Sequence, residues 1–499
     1  MIQRTAGEIA AIVGGELHDA DADAVVTGPV EFDSRRVTPG SVFLALPGAR
    51  ADGHDFAAGA AADGAALVLA ARPVGVPAVV VKPLGAQESN ADAFAHDPDG
   101  SGAAVLEAVG KLARRDVDEL AADGLVVVGV TGSAGKTSVK DMMATILRTD
   151  GETVAPKGSF NNEIGHPYTV LRCTRDTRYL VAEMSARGVG HVAHLARIAP
   201  PKIGAVLNVG TAHLGEFGSR ETIAQAKGEL VEALPGAADG GVAVLNADDP
   251  LVVGMAPRTR AKVVTFGVAS GAADYRATDV SVDDLARASF TLHCPDGSAH
   301  RVELEVHGAH QVPNALAAAA VGVEAGLAPA DVAAALSTHV AASERRMEMR
   351  TRGDGVTVIN DSYNANPDSM RAGVDALVLA AGARDGATSW AVLGQMGELG
   401  DAAVDEHSAL AGYLADHGVD RLVAVGGSAN VRALADAAES MGLNTVRAPE
   451  TGGAAEAVAA EIRPGDVALV KASYADGLWR VADALVPAAQ QNSTERRGK

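Results

Sequence analysis

The sequence predicts an α/β protein of three domains, and three observations carry that expectation. At 499 residues the chain calls for about three cores of ~150 residues each. Two long stretches alternate short apolar runs with helical segments, the pattern of a mainly parallel sheet covered by helices. At the start of the first stretch, an apolar run passes directly into the glycine-rich loop TGSAGKTS and then into a helical pattern.

Composition narrows the class. Hydrophobic residues make up 47% and charged residues 21%, which describes a chain able to bury sizeable cores. The net charge of −21, from 42 basic and 63 acidic residues, argues against a nucleic-acid partner, because phosphate backbones need a basic surface. Two cysteines, Cys173 and Cys294, with no CxxC neighbour, give neither a disulfide framework nor a structural zinc site. The first residues carry charges too early for a signal peptide, and no ~18-residue apolar run provides a transmembrane segment. The expectation is a soluble, cytoplasmic protein.

Taken in order, residues 1–98 read as a small α/β unit with strands near 42–46, 67–69 and 78–81. The polar stretch AQESNADAFAHDPDGSG and a helical segment near 103–120 make 99–123 a linker helix region. A central nucleotide-binding domain at 124–342 has strands near 125–130, 179–182, 203–207 and 242–245. A second doubly wound domain at 343–490 has strands near 356–359, 390–393, 422–425 and 467–470, and a polar tail occupies 491–499. Because parallel sheets bind ligands at the carboxyl ends of their strands, the polar residues after each run are the candidates for chemistry.

The glycine-rich loop is the sharpest of these signals. Gly132, Ser133, Ala134 and Gly135 let backbone N–H groups curl round a phosphate, Lys136 reaches the terminal phosphates, Thr137 is a magnesium ligand, and Ser138 closes the ATP-binding loop. Val130 stands where the strict G-x-x-x-x-G-K-[ST] spacing has its first glycine. Glu183 ends the next apolar run and suits a magnesium ion, and His213 follows the run after that. Ile223, Lys227, Leu230 and Leu234 are spaced by four, three and four, which sets Lys227 on an apolar helix stripe, either snorkelling or turned toward the site. Asp361 opens the strand-end loop DSYNANPDS and suits a ribose or phosphate contact; Arg346 and Asn314 suit nucleotide phosphate and base.

Together TGSAGKTS, SFNNEIGHP, NVGTAHLGEFGS, AKGEL, HQVPNALAAAA, NDSYNANPDSM, LGQMGELG and GDVALVKAS resemble the Mur ligases of peptidoglycan synthesis, from about residue 31 to 478. The resemblance implies an amino-terminal domain for the UDP end of a precursor, a central P-loop ATPase domain and a carboxy-terminal Rossmann-like domain that closes over the site. The pairing of NNEIG with YNANPDSM points to the members that add D-alanyl-D-alanine to UDP-N-acetylmuramoyl-tripeptide. In those terms ATP and Mg2+ are the cofactors and the chain acts as a monomer. Lys136, Lys227 and His213 are the catalytic set. Thr137, Glu183, His213 and a carbamylated Lys227 serve the metal; Asn314, Arg346 and Asp361 serve the nucleotide. Ser34 and Arg35 lie near the uridine end of the substrate, and Asn161 and Asn162 meet its muramoyl-peptide part. Two positions depart from the family pattern: Gln395 replaces an acidic residue, and Arg345 stands where histidine is frequent.

Three other readings share the ATP site. One is a relative adding a single amino acid or glutamate to another acceptor, such as a folate; one is a P-loop ATPase that drives movement or assembly; one is a nucleotide-binding regulator. They differ in whether ADP release depends on an acceptor and an amine.

Overall fold

The computed structural model describes residues 1–48, 51–86, 96–211 and 214–486. Beside a two-stranded antiparallel pair, Arg4–Thr5 with Val25–Val26, three larger sheets follow one another along the described residues. The first has five strands in the order Glu16–His18, Ala78–Val80, Leu67–Ala70, Val42–Leu44 and Val30–Glu31, parallel except for the first pair. The third has six, in the order Glu348–Thr351, Thr357–Asn360, Val467–Lys471, Ser389–Leu393, Arg421–Val425 and Asn444–Ala448, again antiparallel only at the first pair. The apolar runs of the sequence all lie within or across these strands.

The middle sheet is larger than the sequence predicts. Its nine strands run Ala299–His307, Arg287–His293, Tyr275–Val282, Lys262–Gly267, Val242–Asn246, Ile203–Val206, Val126–Thr131, Thr177–Glu183 and Glu152–Val154. The first three form an antiparallel extension. Its signal was period-two burial: Ala288, Phe290 and Leu292 point inward on one strand, and Val302, Leu304 and Val306 on the next. Interleaved polar residues hide such strands from a search for continuous apolar runs.

The helix Ser101–Ala122, read as a linker, is a packed spine. Val105, Val109, Leu112 and Leu120 share one core with Ile9 and Leu44 of the first domain and with Val127 and Leu180 of the middle sheet. At roughly 1.5–3 kcal/mol for each large side chain buried, this helix fixes the first domain to the second. The nucleotide-loop helix Lys136–Leu147 buries Val139, Met142, Met143 and Ile146, an i, i+3, i+4, i+7 stripe. Against it lies Gln311–Glu324, whose alanine-rich middle is buried all round. Small side chains allow that close helix approach, which presents Asn314 to the glycine-rich loop.

Candidate active site

The strand Val126–Thr131 lies between Thr177–Glu183 and Ile203–Val206, with Val130 in register with both Glu183 and Ala205. All three therefore end at the same edge, as parallel pairing requires. Gly135 adopts φ +82°, and a Cβ there would come within 2.5 Å of Asn314 Oδ1; a Cβ on Gly132 would meet Leu207 Cβ at 2.9 Å. Glycine is thus required at both positions by close approach. The neighbouring strand end holds the loop. Ala134 N–H donates to Asn208 Oδ1 at 2.9 Å, Asn208 Nδ2 donates to Ala134 O at 3.1 Å, and Gly210 N–H donates to Ser133 Oγ at 2.9 Å. Asn208 went unnoticed in the sequence, although the strand-end rule that selected Glu183 also selects it.

Lys136 Nζ donates to Gly132 O at 2.7 Å, and burial pushes its pKa down while Glu183 opposes that shift. Glu183 is buried, and its carboxylate accepts from Thr137 Oγ1 at 3.1 Å and from Asn161 Nδ2 at 2.6 Å. Both donors are neutral, so no direct contact offsets the carboxylate's charge. A threonine hydroxyl and a carboxylate are the oxygen donors that a magnesium ion takes alongside nucleotide phosphates, so these residues fit that ion. Among the described residues no three His, Cys, Asp or Glu side chains are grouped so that they could hold a metal ion by themselves. His213 lies outside the described residues.

Lys227 lies on the helix Arg220–Glu232, capped by Ser219, and Ile223, Lys227, Leu230 and Leu234 are all buried as their spacing predicts. Its ammonium has no hydrogen-bond acceptor or ion-pair partner among the described residues. Burial first, and repulsion from Lys136 second, push its pKa well below the ordinary 10.5. The side chain is thus buried along the apolar stripe of its helix, and it borders neither of the cavities beside the loop.

The opposite wall comes from the third sheet. Arg346 Nη2 reaches Thr137 Oγ1 at 3.4 Å and Ser159 Oγ at 3.3 Å, its guanidinium carbon stands 4.3 Å from the Tyr363 ring centroid, and its buried Nε has no acceptor. Left-handed backbone at Arg345 (φ 60°) and Met347 (φ 49°) flanks it, a strain of about 1–3 kcal/mol each that active-site loops commonly carry. Asp361 sits at the strand end as expected, but its oxygens are engaged: Oδ1 accepts Met347 N–H at 3.1 Å and Oδ2 accepts Lys471 Nζ at 2.5 Å. Lys471, which the sequence reading did not single out, also donates to Asn364 O at 2.9 Å. Arg187 and Glu398, 2.7 Å apart, form a further bridge between the middle and third domains.

Two cavities adjoin the loop. The smaller, about 240 Å³, is lined by Gly135, Leu207, Phe266, Gln311, Asn314 and Asp361; the larger, about 690 Å³, by Lys136, Glu183, Asn161, Arg346, Tyr363 and Tyr474. Asn162 lines the larger one too, while its Oδ1 accepts the N–H groups of Ile164 and Gly165 and so holds the next helix start. Asn314 donates to Gln311 Oε1 at 3.0 Å. Ser34 and Arg35 border neither cavity. They form a short turn in the first domain, where Arg35 is exposed and paired with Asp33 at 2.8 Å. The adjacent Phe32 packs edge-on against Phe160 and Tyr168, which sets this turn beside the NNEIG segment.

Three family models match in sequence: Mur ligase family, catalytic domain, at residues 29–117; Mur ligase middle domain at 130–322; and Mur ligase, glutamate ligase domain, at 345–474. The UDP-N-acetylmuramoyl-tripeptide–D-alanyl-D-alanine ligase of Mycobacterium tuberculosis (strain ATCC 25618 / H37Rv) is 54% identical, over 97% of this chain and 98% of its own length. The enzyme of that name from Escherichia coli (strain K12) is 35% identical, over 85% and 86%. Among solved structures, MurF from Acinetobacter baumannii superposes with a TM-score of 0.81 at 28% identity, over 97% and 98% of the two chains. The MurF ligase of Thermotoga maritima in complex with ADP gives 0.73 at 27% identity, over 92% and 97%.

Proposed function

The chain belongs to the Mur ligase family, and from that premise we propose that it joins D-alanyl-D-alanine to UDP-N-acetylmuramoyl-tripeptide at the cost of ATP. One observation carries this reading beyond nucleotide binding. Arg346, from the third domain, meets Thr137 and Ser159 of the middle domain above a cleft of about 690 Å³ lined from both domains, which offers room for the reacting ends of an acceptor and an amine against the phosphate loop. A motor needs no second substrate cleft against its phosphate loop.

A carboxylate does not acylate an amine at neutral pH, so it is first converted to an acyl phosphate by the γ-phosphoryl group of ATP. Attack by the amine of D-alanyl-D-alanine then releases phosphate. The backbone N–H groups of Gly132–Thr137 cradle the phosphates, Asn314 and the smaller cavity hold the base, and Lys136 and Arg346 neutralise charge on the transferring group. Asp361 acts on the nucleotide side through Lys471 and the Met347 backbone that it holds. Thr137, Glu183 and His213 are assigned to magnesium, which when bound shields phosphate charge. Lys227, a buried amine whose pKa burial pushes down, suits reaction with carbon dioxide, which would release a proton and leave a carbamate able to offer an anionic oxygen to a second magnesium ion. Ser34 and Arg35 are assigned to the uridine end, and Asn161 and Asn162 to the muramoyl peptide, with Asn161 also steadying Glu183. We read the protein as a cytoplasmic monomer, since ATP and a UDP-linked precursor are intracellular substrates and no described helix is long and apolar enough to cross a membrane.

The test is ADP formation by the purified protein with ATP, magnesium and UDP-N-acetylmuramoyl-tripeptide, adding D-alanyl-D-alanine, D-alanine, L-lysine or glutamate. ADP release that depends on both acceptor and dipeptide is expected. Equal ADP under every condition would overturn the ligase reading, and a preference for a single amino acid would reassign the chain within the family.

A further inference from the structure

Of two consecutive arginines, Arg346 lines the larger cleft, and Arg345 stands against Tyr474, which lines that cleft too. Arg346 reaches the glycine-rich loop, whereas the Arg345 guanidinium carbon lies 4.4 Å from the Trp479 ring centroid and 5.8 Å from that of Tyr474. Left-handed backbone at Arg345 and Met347 produces this splay. Arg345 is half-buried and has neither an ion-pair partner nor a side-chain hydrogen-bond acceptor among the described residues. Arg350, on the adjoining strand, pairs with both Glu348 and Asp483. Aromatic faces steady the Arg345 guanidinium while leaving its N–H donors open to a planar anion.

Resting on the ligase reading, we propose that Arg345 binds the terminal carboxylate of the incoming dipeptide and so gauges its length. The amine must attack beside Lys136 and Arg346. Tyr363 stacks under Arg346 and Tyr474 flanks Arg345; their ring centroids are 5.6 Å apart, and both rings line the cleft. An extended dipeptide spans roughly 7 Å, which carries its carboxylate past Tyr363 toward Tyr474 and Arg345. A single amino acid keeps its carboxylate within roughly 3 Å of the amine, on the Arg346 side. The fork of a guanidinium matches a carboxylate with two parallel hydrogen bonds.

The experiment compares D-alanyl-D-alanine with its carboxy-terminal amide as the amine in ADP formation, for the wild type, Arg345→Met and Arg345→Lys. A charge-assisted pair implies a kcat/KM preference of about 10- to 100-fold for the free acid in the wild type, expressed in the KM for the amine. Arg345→Met should reduce that preference to within about threefold while the KM for ATP stays put, and Arg345→Lys, which keeps the cation, should fall between. A wild type indifferent to the amide, or an Arg345→Met enzyme that keeps the full preference, overturns the proposal. Equal loss with both amines in both variants also overturns it, because Arg345 would then be structural. No dipeptide-dependent ADP from the wild type would sink the ligase reading itself, and this proposal with it.

Discussion

Lys227 and Lys471 are both buried, one on a helix of the middle domain and the other at a strand end of the third, yet their surroundings are opposite. Lys471 donates to Asp361 Oδ2 at 2.5 Å and to Asn364 O at 2.9 Å, and Asp361 counters the burial that lowers its pKa. Lys227 has no acceptor among the described residues, and the charge nearest in effect is the like charge of Lys136. A buried ammonium with a carboxylate and a carbonyl is a tie between chain segments. One without them is a cost to folding, retained only where chemistry needs the amine.

Removing the tie should give the larger effect. Lys471→Met strands the Asp361 carboxylate in the interior and should destabilise the third domain by about 3–5 kcal/mol. Both tryptophans of the chain, Trp390 and Trp479, lie in that domain, so their fluorescence during urea unfolding isolates its transition. Adding Asp361→Asn, which still accepts Met347 N–H, should recover most of the loss. A single variant that unfolds with the wild type would dissolve the contrast between the two lysines. Lys227→Met should act the other way, leaving stability unchanged or raised and lowering ligase kcat by roughly 10²- to 10³-fold, the scale for losing one charge-stabilising group. Native mass measurement in bicarbonate should find one carbon dioxide on the wild type and none on the variant. A marked loss of stability in Lys227→Met would mean that Lys227, too, is a structural tie and would remove the contrast.

The same pair shows what the sequence could carry. The place of Lys227 was legible because its stripe, Ile223 to Leu234, is local: helical spacing alone sets it among buried apolar residues. Lys471 ends the run VALVK, and its partner Asp361 lies 110 positions away, joined to it only because Thr357–Asn360 and Val467–Lys471 are neighbours in the sheet. Strand order is set by long-range packing that no local spacing reports. Glu183 and the loop Gly132–Thr137 were found from strand-end position, yet the same rule gave no sign that Asn161 would turn its amide onto Glu183, because Asn161 sits in a loop 22 positions away, before the helix Gly165–Val170. The antiparallel strands 275–307 were hidden by their alternation of polar and apolar residues, and the Arg345–Tyr474–Trp479 stack by its assembly from two distant segments.

The last contrast is one of pH, and it separates the lysines by slope. Between the lowered pKa of folded Lys227 and the 10.5 of the unfolded chain, unfolding takes up a proton, so stability climbs as pH rises through that window and levels off above it. In carbonate-free buffer, the wild type should therefore gain on Lys227→Met as pH rises from the lowered folded value toward 9.5, by at most about 1.4 kcal/mol per pH unit. Lys471 is pushed in the same direction, but Asp361 opposes the shift, so the wild type should gain on the Lys471→Met/Asp361→Asn pair with a shallower slope. Circular-dichroism melts of the three proteins across this range measure both slopes. Parallel lines for wild type and Lys227→Met would mean that Lys227 stays charged in the fold, leaving no neutral amine for carbon dioxide to find.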